Sequence, residues 1–360
     1  MPMVDYDKYR GTTVDVDLAA PPAERWNDAV DEWGDECHEM MEEVVDCCKE
    51  RIEELPAYWR PLVRIAGEGR VGLGGRLVGI VAKLFGQEYI AEIRGIARRA
   101  GISYPQMVLA NLQYDIMQAI EKAYLVYGKV FGGACSSFSC NLPGGVPVLA
   151  RNMDWGWPDT IGVRTQVVNF HRGRRHYKSV GIIGMVGVLS AMYGGKWAAT
   201  LNEAPIDKLG VRYLQTPALQ RLRESCDGLG GFSNFVNRLQ EYQTMTPFFV
   251  HAVGCRPHQH VVVNGMGQWY EERKTEEKYL IQTNHFVGPE LREYNGPDEE
   301  ISAEPRYRAI RNRLRKQLPR SVKSAREKLL RQPVTNELTM QSMAFCPGRD
   351  EMMLKVRVDE

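Results

Sequence analysis

The sequence changes character once, at Phe131-Gly132-Gly133-Ala134, and this limits the fold more than any other feature. Before that point the apolar residues recur every three or four positions. Over residues 24–55 they fall at Trp26, Val30, Trp33, Cys37, Met41, Val44, Cys48, Ile52 and Leu55. That spacing predicts one long amphipathic helix, with its other face acidic at Glu32, Asp35, Glu39 and Glu42. Cys37 and Cys48 lie on the apolar stripe and read as buried core. Two further helices are expected over 76–100 and 104–127. After the change, β-rich runs separated by glycine predict strands over 136–140, 146–153, 163–171, 179–188 and 197–202. A helix over 216–242 follows, then strands over 248–255, 260–264 and 279–283. A basic helix over 305–332 comes next, and a hairpin over 340–358 turns at Pro347-Gly348. Strands in two groups with helices between them predict a layered α+β sandwich. The expected division is a mostly helical segment, 1–134, and a strand-rich unit, 135–360.

Charge divides at the same place. The whole chain has 360 residues and a net charge of +1, yet residues 1–134 carry 15 basic and 22 acidic side chains and residues 135–360 carry 31 and 23. The near-zero total argues against a dedicated nucleic-acid binder. The polar first ten residues lack an apolar run, no stretch reaches the roughly 20 apolar residues of a membrane span, and no Asn-x-Ser/Thr acceptor occurs. Eight cysteines without a CxxC pair do not make a disulfide framework or a zinc site. A cytoplasmic protein is the expectation. Gly67-Glu68-Gly69-Arg70-Val71-Gly72 is formally GxGxxG, but it lacks the strand before it and the acidic residue after it that dinucleotide binding needs, so it reads as a loop. His258 and His260 could share one side of a strand, but no third ligand accompanies them. No cofactor and no metal are expected.

The residues most suited to chemistry sit just past the change. Cys135 opens one strand, and Arg151 and Asp154 follow 16 and 19 residues later at the end of the next. A tight turn at Pro143-Gly144-Gly145 makes the two strands an antiparallel pair, which returns Arg151 and Asp154 to the level of Cys135. Each alone has a plain structural reading: a core thiol, an ion pair. Together they place a nucleophile beside a cation and a carboxylate.

These residues resemble those of the N-terminal-nucleophile cysteine hydrolases, in particular the acid ceramidase and N-acylethanolamine acid amidase family. Thr12-Thr13-Val14-Asp15-Val16-Asp17-Leu18, Pro21-Pro22-Ala23-Glu24-Arg25-Trp26 and Asn111-Leu112-Gln113-Tyr114-Asp115 resemble segments of that family's α-subunit. Val186-Gly187-Val188-Leu189, Leu201-Asn202-Glu203 and Gln282-Thr283-Asn284 resemble its β-subunit in the same order. The resemblance implies a four-layer αββα sandwich, preceded by a helical α-subunit segment, and self-cleavage between Ala134 and Cys135 into an α/β heterodimer. It implies that Cys135 attacks the amide of a lipid-like N-acyl substrate, an N-acylethanolamine or a ceramide relative, and forms a thioester. By the same resemblance Arg151 stabilises the thiolate, Asp154 holds the new α-amine, Asn284 donates to the oxyanion, and Glu203 orients the network. Arg306 fits a second family arginine, with Arg308 the next candidate. Tyr114, Trp155, Leu84 and Phe85 are candidate substrate-binding residues. The last two belong to an apolar stripe, 77–85, which reads either as core or as a membrane-facing surface. Asn284-His285-Phe286 also resembles the isopenicillin-acyltransferase type. Acyl transfer to an amine or thiol, and an uncleaved lipid-binding relative, are therefore the alternatives. Opposite charges would help two subunits stay together, and the acidic face of 24–55 is expected against the basic 306–331 segment.

Overall fold

The computed structural model describes residues 3–9, 11–50, 60, 86–115, 118, 135–155, 159–204, 215–241, 243–266, 269–274, 278–288, 291–295 and 303–358. In chain order the strands are β1 (Met3–Asp5), β2 (Thr12–Asp17), β3 (Cys135–Leu142), β4 (Val146–Asp154), β5 (Thr165–Arg172), β6 (Arg175–Ile182), β7 (Ser190–Tyr193) and β8 (Trp197–Glu203). They continue as β9 (Phe248–Val253), β10 (His260–Met266), β11 (Trp269–Lys274), β12 (Tyr279–Gln282), β13 (Thr339–Cys346) and β14 (Glu351–Arg357). The helices are α1 (Tyr6–Tyr9), α2 (Asn27–Trp33), α3 (Glu36–Glu50), α4 (Gly86–Ala100), α5 (Tyr104–Asn111), α6 (Ala218–Asp227), α7 (Phe232–Gln240), α8 (Ala303–Lys316) and α9 (Val322–Glu327).

Among the described residues the strands form two sheets. One has six strands in the order β1-β14-β13-β4-β3-β12, the other eight in the order β11-β10-β9-β8-β7-β6-β5-β2. Their inner faces meet in a core that includes Leu149, Val167, Val180, Met192, Val253, Met343 and Phe345. Side chains alternate across a strand, so Val148 and Ala150 point the other way, into a cluster with Ile310 and Leu314 of α8 and Val322 and Ala325 of α9. The outer face of the eight-stranded sheet is covered by α2 to α7, whose Trp33, Met41, Ile93, Val108, Leu222 and Phe235 join the largest core. Helix, sheet, sheet, helix is the expected four-layer order.

The expected elements differ in detail for local reasons. Over its described residues the helix of 24–55 is two helices, because Gly34 takes φ +52° at the end of α2. Helix α4 stops at Gly101, with φ +70°, and α5 restarts on a capping box between Ser103 and Gln106. The helix of 216–242 breaks after Gly228, with Leu229 at φ +48°, into α6 and α7. The basic helix breaks ahead of α9, where Ser321 caps the new start. Strands β7 and β11 escape the glycine-punctuated pattern. The segment before Cys135 is helical over most of its described length, yet it also lends a strand to each sheet. β1 pairs antiparallel with β14, and β2 pairs parallel with β5 over six residues.

Among the described residues the expected contact between the acidic face of 24–55 and the 306–331 segment is not seen. Glu36, Glu39 and Glu43 of α3 instead surround Arg164, at 3.4, 2.7 and 3.5 Å. The nearest equivalent is Arg326 of α9, 3.3 Å from Asp5. The basic segment packs behind the six-stranded sheet and α3 packs outside the eight-stranded one, so the two sheets lie between them.

Candidate active site

The pairing of β3 with β4 sets the site. Cys135 stands opposite Met153 and Ser137 opposite Arg151, so the start of β3 and the end of β4 lie side by side. The six-stranded sheet continues on either flank: β12 pairs with β3, Gln282 opposite Ser137, and β13 pairs with β4, Thr339 opposite Asp154. Strands β3 and β4 and the end of β12 therefore bring Cys135, Arg151, Asp154 and Asn284 to one end of the sheet.

Arg151 is buried and donates through Nη2 to the Cys135 sulfur at 3.2 Å and to the Leu201 carbonyl at 2.7 Å, while Nη1 donates to Ser190 Oγ at 3.1 Å. Leu201 and Ser190 belong to the other sheet, so this guanidinium joins the layers behind the sulfur. Burial pushes the Cys135 thiol above its ordinary range. The Arg151 charge pulls it back, and the nearby charges of Asp154 and Glu203 oppose ionisation. Asp154 is fully buried, and burial raises its carboxyl to about 6 against the pull of Arg306, Thr339, Asn336 and Arg151. Its Oδ1 accepts from Thr339 Oγ1 at 2.6 Å and its Oδ2 from Asn336 Nδ2 at 3.0 Å.

Asn284 bridges three groups. Its Oδ1 accepts from the Cys135 backbone N–H at 2.7 Å and from Arg306 Nη2 at 2.9 Å, and its Nδ2 donates to the Glu203 carbonyl at 3.0 Å. An amide nitrogen has two hydrogens, so one remains beyond the Glu203 bond. Arg306, on α8, also donates through Nη1 to the Cys135 carbonyl and to Ser136 Oγ, both at 2.7 Å. Three acceptors around one guanidinium explain how it can be almost wholly buried. The alternative, Arg308, is exposed and pairs with Glu304 on its own helix at 2.7 Å. Tyr114 and Trp155 come together with ring centroids 6.2 Å apart, both buried in the core that also holds Cys135. Ala134, Leu84, Phe85 and the GxGxxG run lie outside the described residues. His260 is no metal ligand in this arrangement, since its ring nitrogens meet Ser139 and Asn141.

Sequence reading missed the partners that hold these groups. Ser136, Ser190, Asn336 and Thr339 are ordinary polar residues in the chain. Only Asn336 and Thr339 carry a signal, as a turn pair: Thr339 Oγ1 accepts from the Asn336 N–H and Asn336 Oδ1 from the Leu338 N–H. A cavity of about 760 Å³ opens at the far end of β3, by Leu142, Tyr279, Leu314 and Arg315, and contains none of the site residues.

The chain is 22% identical to an N-acylethanolamine-hydrolyzing acid amidase of Caenorhabditis elegans over 348 residues, 93% of this chain and 88% of that protein. The solved structure of a C. elegans N-acylethanolamine-hydrolyzing acid amidase ortholog matches it with a TM-score of 0.51 and 20% identity, over 59% of this chain and 93% of that one. The fold is that of the N-terminal-nucleophile hydrolases. The resemblance to the acid amidases runs nearly the length of the chain, beyond the motifs that first suggested it. No protein-family model matches.

Proposed function

We propose that the chain is a self-cleaving amidohydrolase that releases the acyl group of fatty N-acyl amides, N-acylethanolamines or ceramide-like lipids, through a thioester on Cys135. The observation that carries this reading is the convergence of Arg151, Asn284 and Arg306 on Cys135 at the first position of β3. The acid amidase named above supplies the substrate class by similarity.

In the proposed activation the Cys135 sulfur attacks the Ala134 carbonyl carbon, and the peptide nitrogen leaves as an amine. Water then hydrolyses the thioester, which gives a carboxylate at Ala134 and a free α-amine at Cys135. Such an amine titrates near 7.7–8.0 in ordinary surroundings, so its neutral form is available to take the thiol proton. Asn284 Oδ1, already on the Cys135 nitrogen, holds that amine in place, and the buried Asp154 carboxylate supplies the charge that favours its protonated form. The thiolate, stabilised by Arg151, adds to the substrate carbonyl. The oxyanion meets the second Asn284 N–H, a type of donor whose loss costs about 10²–10³ in rate. Collapse expels the amine with the proton held at Cys135, and water releases the fatty acid. The apolar 77–85 stripe is the proposed contact with a lipid surface, and the cytoplasm the proposed compartment.

Intact mass tests the activation: wild-type protein should separate into pieces of 134 and 226 residues. Fatty acid released from a panel of N-acylethanolamines and ceramide, with and without an acceptor amine, tests the chemistry. Cys135→Ala should stay one chain and release nothing; full turnover by that variant would end the proposal, and acyl product on the added amine would make the enzyme a transferase.

A further inference from the structure

A row of polar side chains runs between the two sheets, from the site to the rim of β3. Alternate β3 residues face the eight-stranded sheet, and here Ser137, Ser139 and Asn141 meet His251 of β9 and His260 of β10. The contacts are Ser137 Oγ to His251 Nδ1 at 3.0 Å and His251 Nε2 to Ser139 Oγ at 2.8 Å. They continue from Ser139 Oγ to His260 Nδ1 at 2.9 Å and from His260 Nε2 to Asn141 Oδ1 at 3.0 Å. Both histidines and both serines are buried, and burial keeps the imidazoles neutral: His260 falls to about 4 and His251 lies well below its ordinary value.

The direction of every bond in the row follows from its outer end. Asn141 Nδ2 donates to the Pro257 carbonyl at 3.0 Å, so Asn141 Oδ1 faces His260 and must accept. His260 therefore carries its proton on Nε2, and its Nδ1 accepts from the Ser139 hydroxyl. The single Ser139 proton is then used, so His251 Nε2 donates to Ser139 and His251 Nδ1 accepts from Ser137. With its own proton committed to His251, Ser137 turns lone pairs to Asn202, whose Nδ2 donates to it at 3.2 Å. The other Asn202 N–H donates to the Gln282 carbonyl at 3.0 Å. That bond is half of a strap between the ends of β8 and β12, which lie in different sheets. The other half is Asn284 Nδ2 on the Glu203 carbonyl at 3.0 Å.

We infer that His251 is a positioning residue for the proposed reaction: by accepting the only Ser137 proton it keeps that proton off the Gln282 carbonyl and leaves the oxygen to Asn202 Nδ2, which ties β12 down and so holds Asn284 against Cys135. His260 acts through the same row. Without the His251 acceptor the Ser137 hydroxyl is free to donate, and the Gln282 carbonyl lies 3.2 Å away to take that proton. Ser137 then competes with Asn202 Nδ2 for that oxygen, and the strap on β12 weakens. The inference rests on the catalytic reading of Asn284, but its bond directions do not.

Two measurements test it. Long-range ¹H–¹⁵N correlation of the histidine rings at pH 7 should show both as neutral Nε2–H tautomers. A proton on Nδ1 of either ring would overturn the row. In kinetics with an N-acylethanolamine, His251→Leu should lower kcat by about tenfold or more at nearly unchanged KM, the mark of misplaced groups. His251→Gln, which offers an acceptor and a donor at similar spacing, should recover most of kcat. Wild-type kcat in His251→Leu, or a Gln variant no better than Leu, would refute the positioning role. Should His251→Leu fail to fold, Ser137→Ala replaces it, with the same kcat loss expected and unchanged kcat counting against the role. Wild-type protein inert on every N-acyl amide would remove the functional reading and leave the tautomers to decide the row.

Discussion

Glu92 of α4 is the residue whose loss should most weaken the join between the segment before Cys135 and the rest of the fold. It is fully buried, and four donors converge on it: Arg25 Nη1 at 2.8 Å and Arg223 Nη2 at 3.2 Å on Oε1, Trp26 Nε1 at 2.7 Å and Arg223 Nη1 at 3.3 Å on Oε2. The helix can come this close to the 18–26 segment because Gly95 lies against the Ala23 backbone, where a Cβ would sit 2.2 Å from the carbonyl oxygen. In Glu92→Gln an NH₂ replaces one carboxylate oxygen and points hydrogens at two donors, and the charge opposite two guanidinium groups is lost. Breaking a buried ion pair from one side costs about 3–5 kcal/mol. Arg223 keeps Asp227 at 2.9 Å and the Val186 carbonyl at 2.6 Å, which sets the expected cost at the low end, about 3 kcal/mol. The folding constant should drop about 150-fold, and with a urea m-value of about 3 kcal/mol/M or more the midpoint should fall by about 0.5–1 M. Chemical denaturation followed by tryptophan fluorescence reads this directly, since Trp26 is one of the donors. Asp31→Asn is the control. Its partner Arg99 donates to it at 2.5 and 2.7 Å, but both side chains are about half exposed, so the midpoint should not move. Equal midpoints for wild type and Glu92→Gln at unchanged m would show that the buried charge contributes nothing net, and the reasoning would be wrong.

Three other outcomes follow from the geometry. Arg306→Lys removes the fork that reaches Cys135, Ser136 and Asn284 together and should lower kcat/KM at least tenfold, whereas Arg308→Lys should leave it unchanged; equal effects would contradict the assignment of the arginine. Burial raises the Asp115 carboxyl to about 6, so the fold favours its protonated form: up to about 3 kcal/mol of stability is fully present below about pH 4 and is lost as pH rises through 6. Asp115→Asn should flatten that slope in a Tm-against-pH series, and an unaltered slope would place its source elsewhere. If ionised Asp154 is needed for turnover, the acid limb of kcat should fall near pH 6, and a limb near pH 4, the ordinary carboxylate range, would mean that burial does not raise Asp154.

The site was legible in the sequence because its groups sit on strand ends whose spacing is set by one hairpin. Cys135, Arg151 and Asp154 needed only the Gly144-Gly145 turn, where both glycines do take positive φ. Asn284 and Arg306 needed the resemblance, because nothing local ties 284 or 306 to 135. The structure separates Arg306 from Arg308 by helix phase, since the first faces β3 and the second faces outward. Three long helices were read through their breaks because an apolar stripe continues across a kink: Trp33 and Cys37 lie on either side of Gly34 and are buried in the same core. The His251 row was invisible for the opposite reason. It depends on β3 facing β9 and β10 across the layer gap, and serine and histidine in strands carry no pattern that encodes such facing.

The charge division at residue 134 now has a more specific meaning. The acidic segment does not lie against the basic helices as a pair of opposed surfaces. Its carboxylates are used at separate local contacts, Glu36, Glu39 and Glu43 around Arg164, Glu92 on Arg223 and Asp5 beside Arg326. Most of these are partly exposed pairs that salt screens. Glu92 on Arg223 is sealed from solvent and is not. The stronger attachment is backbone pairing and apolar burial rather than net charge: β2 runs in parallel register along β5, and Trp26 and Trp33 are buried among residues of the later strands and helices. A chain cut after Ala134 would keep all of these contacts. Two pieces that share both sheets and a core do not need opposite net charges to stay together. The sign change at 134 is then a product of where the pieces lie: the acidic face of α3 is solvated outside one sheet and the basic face of α8 outside the other.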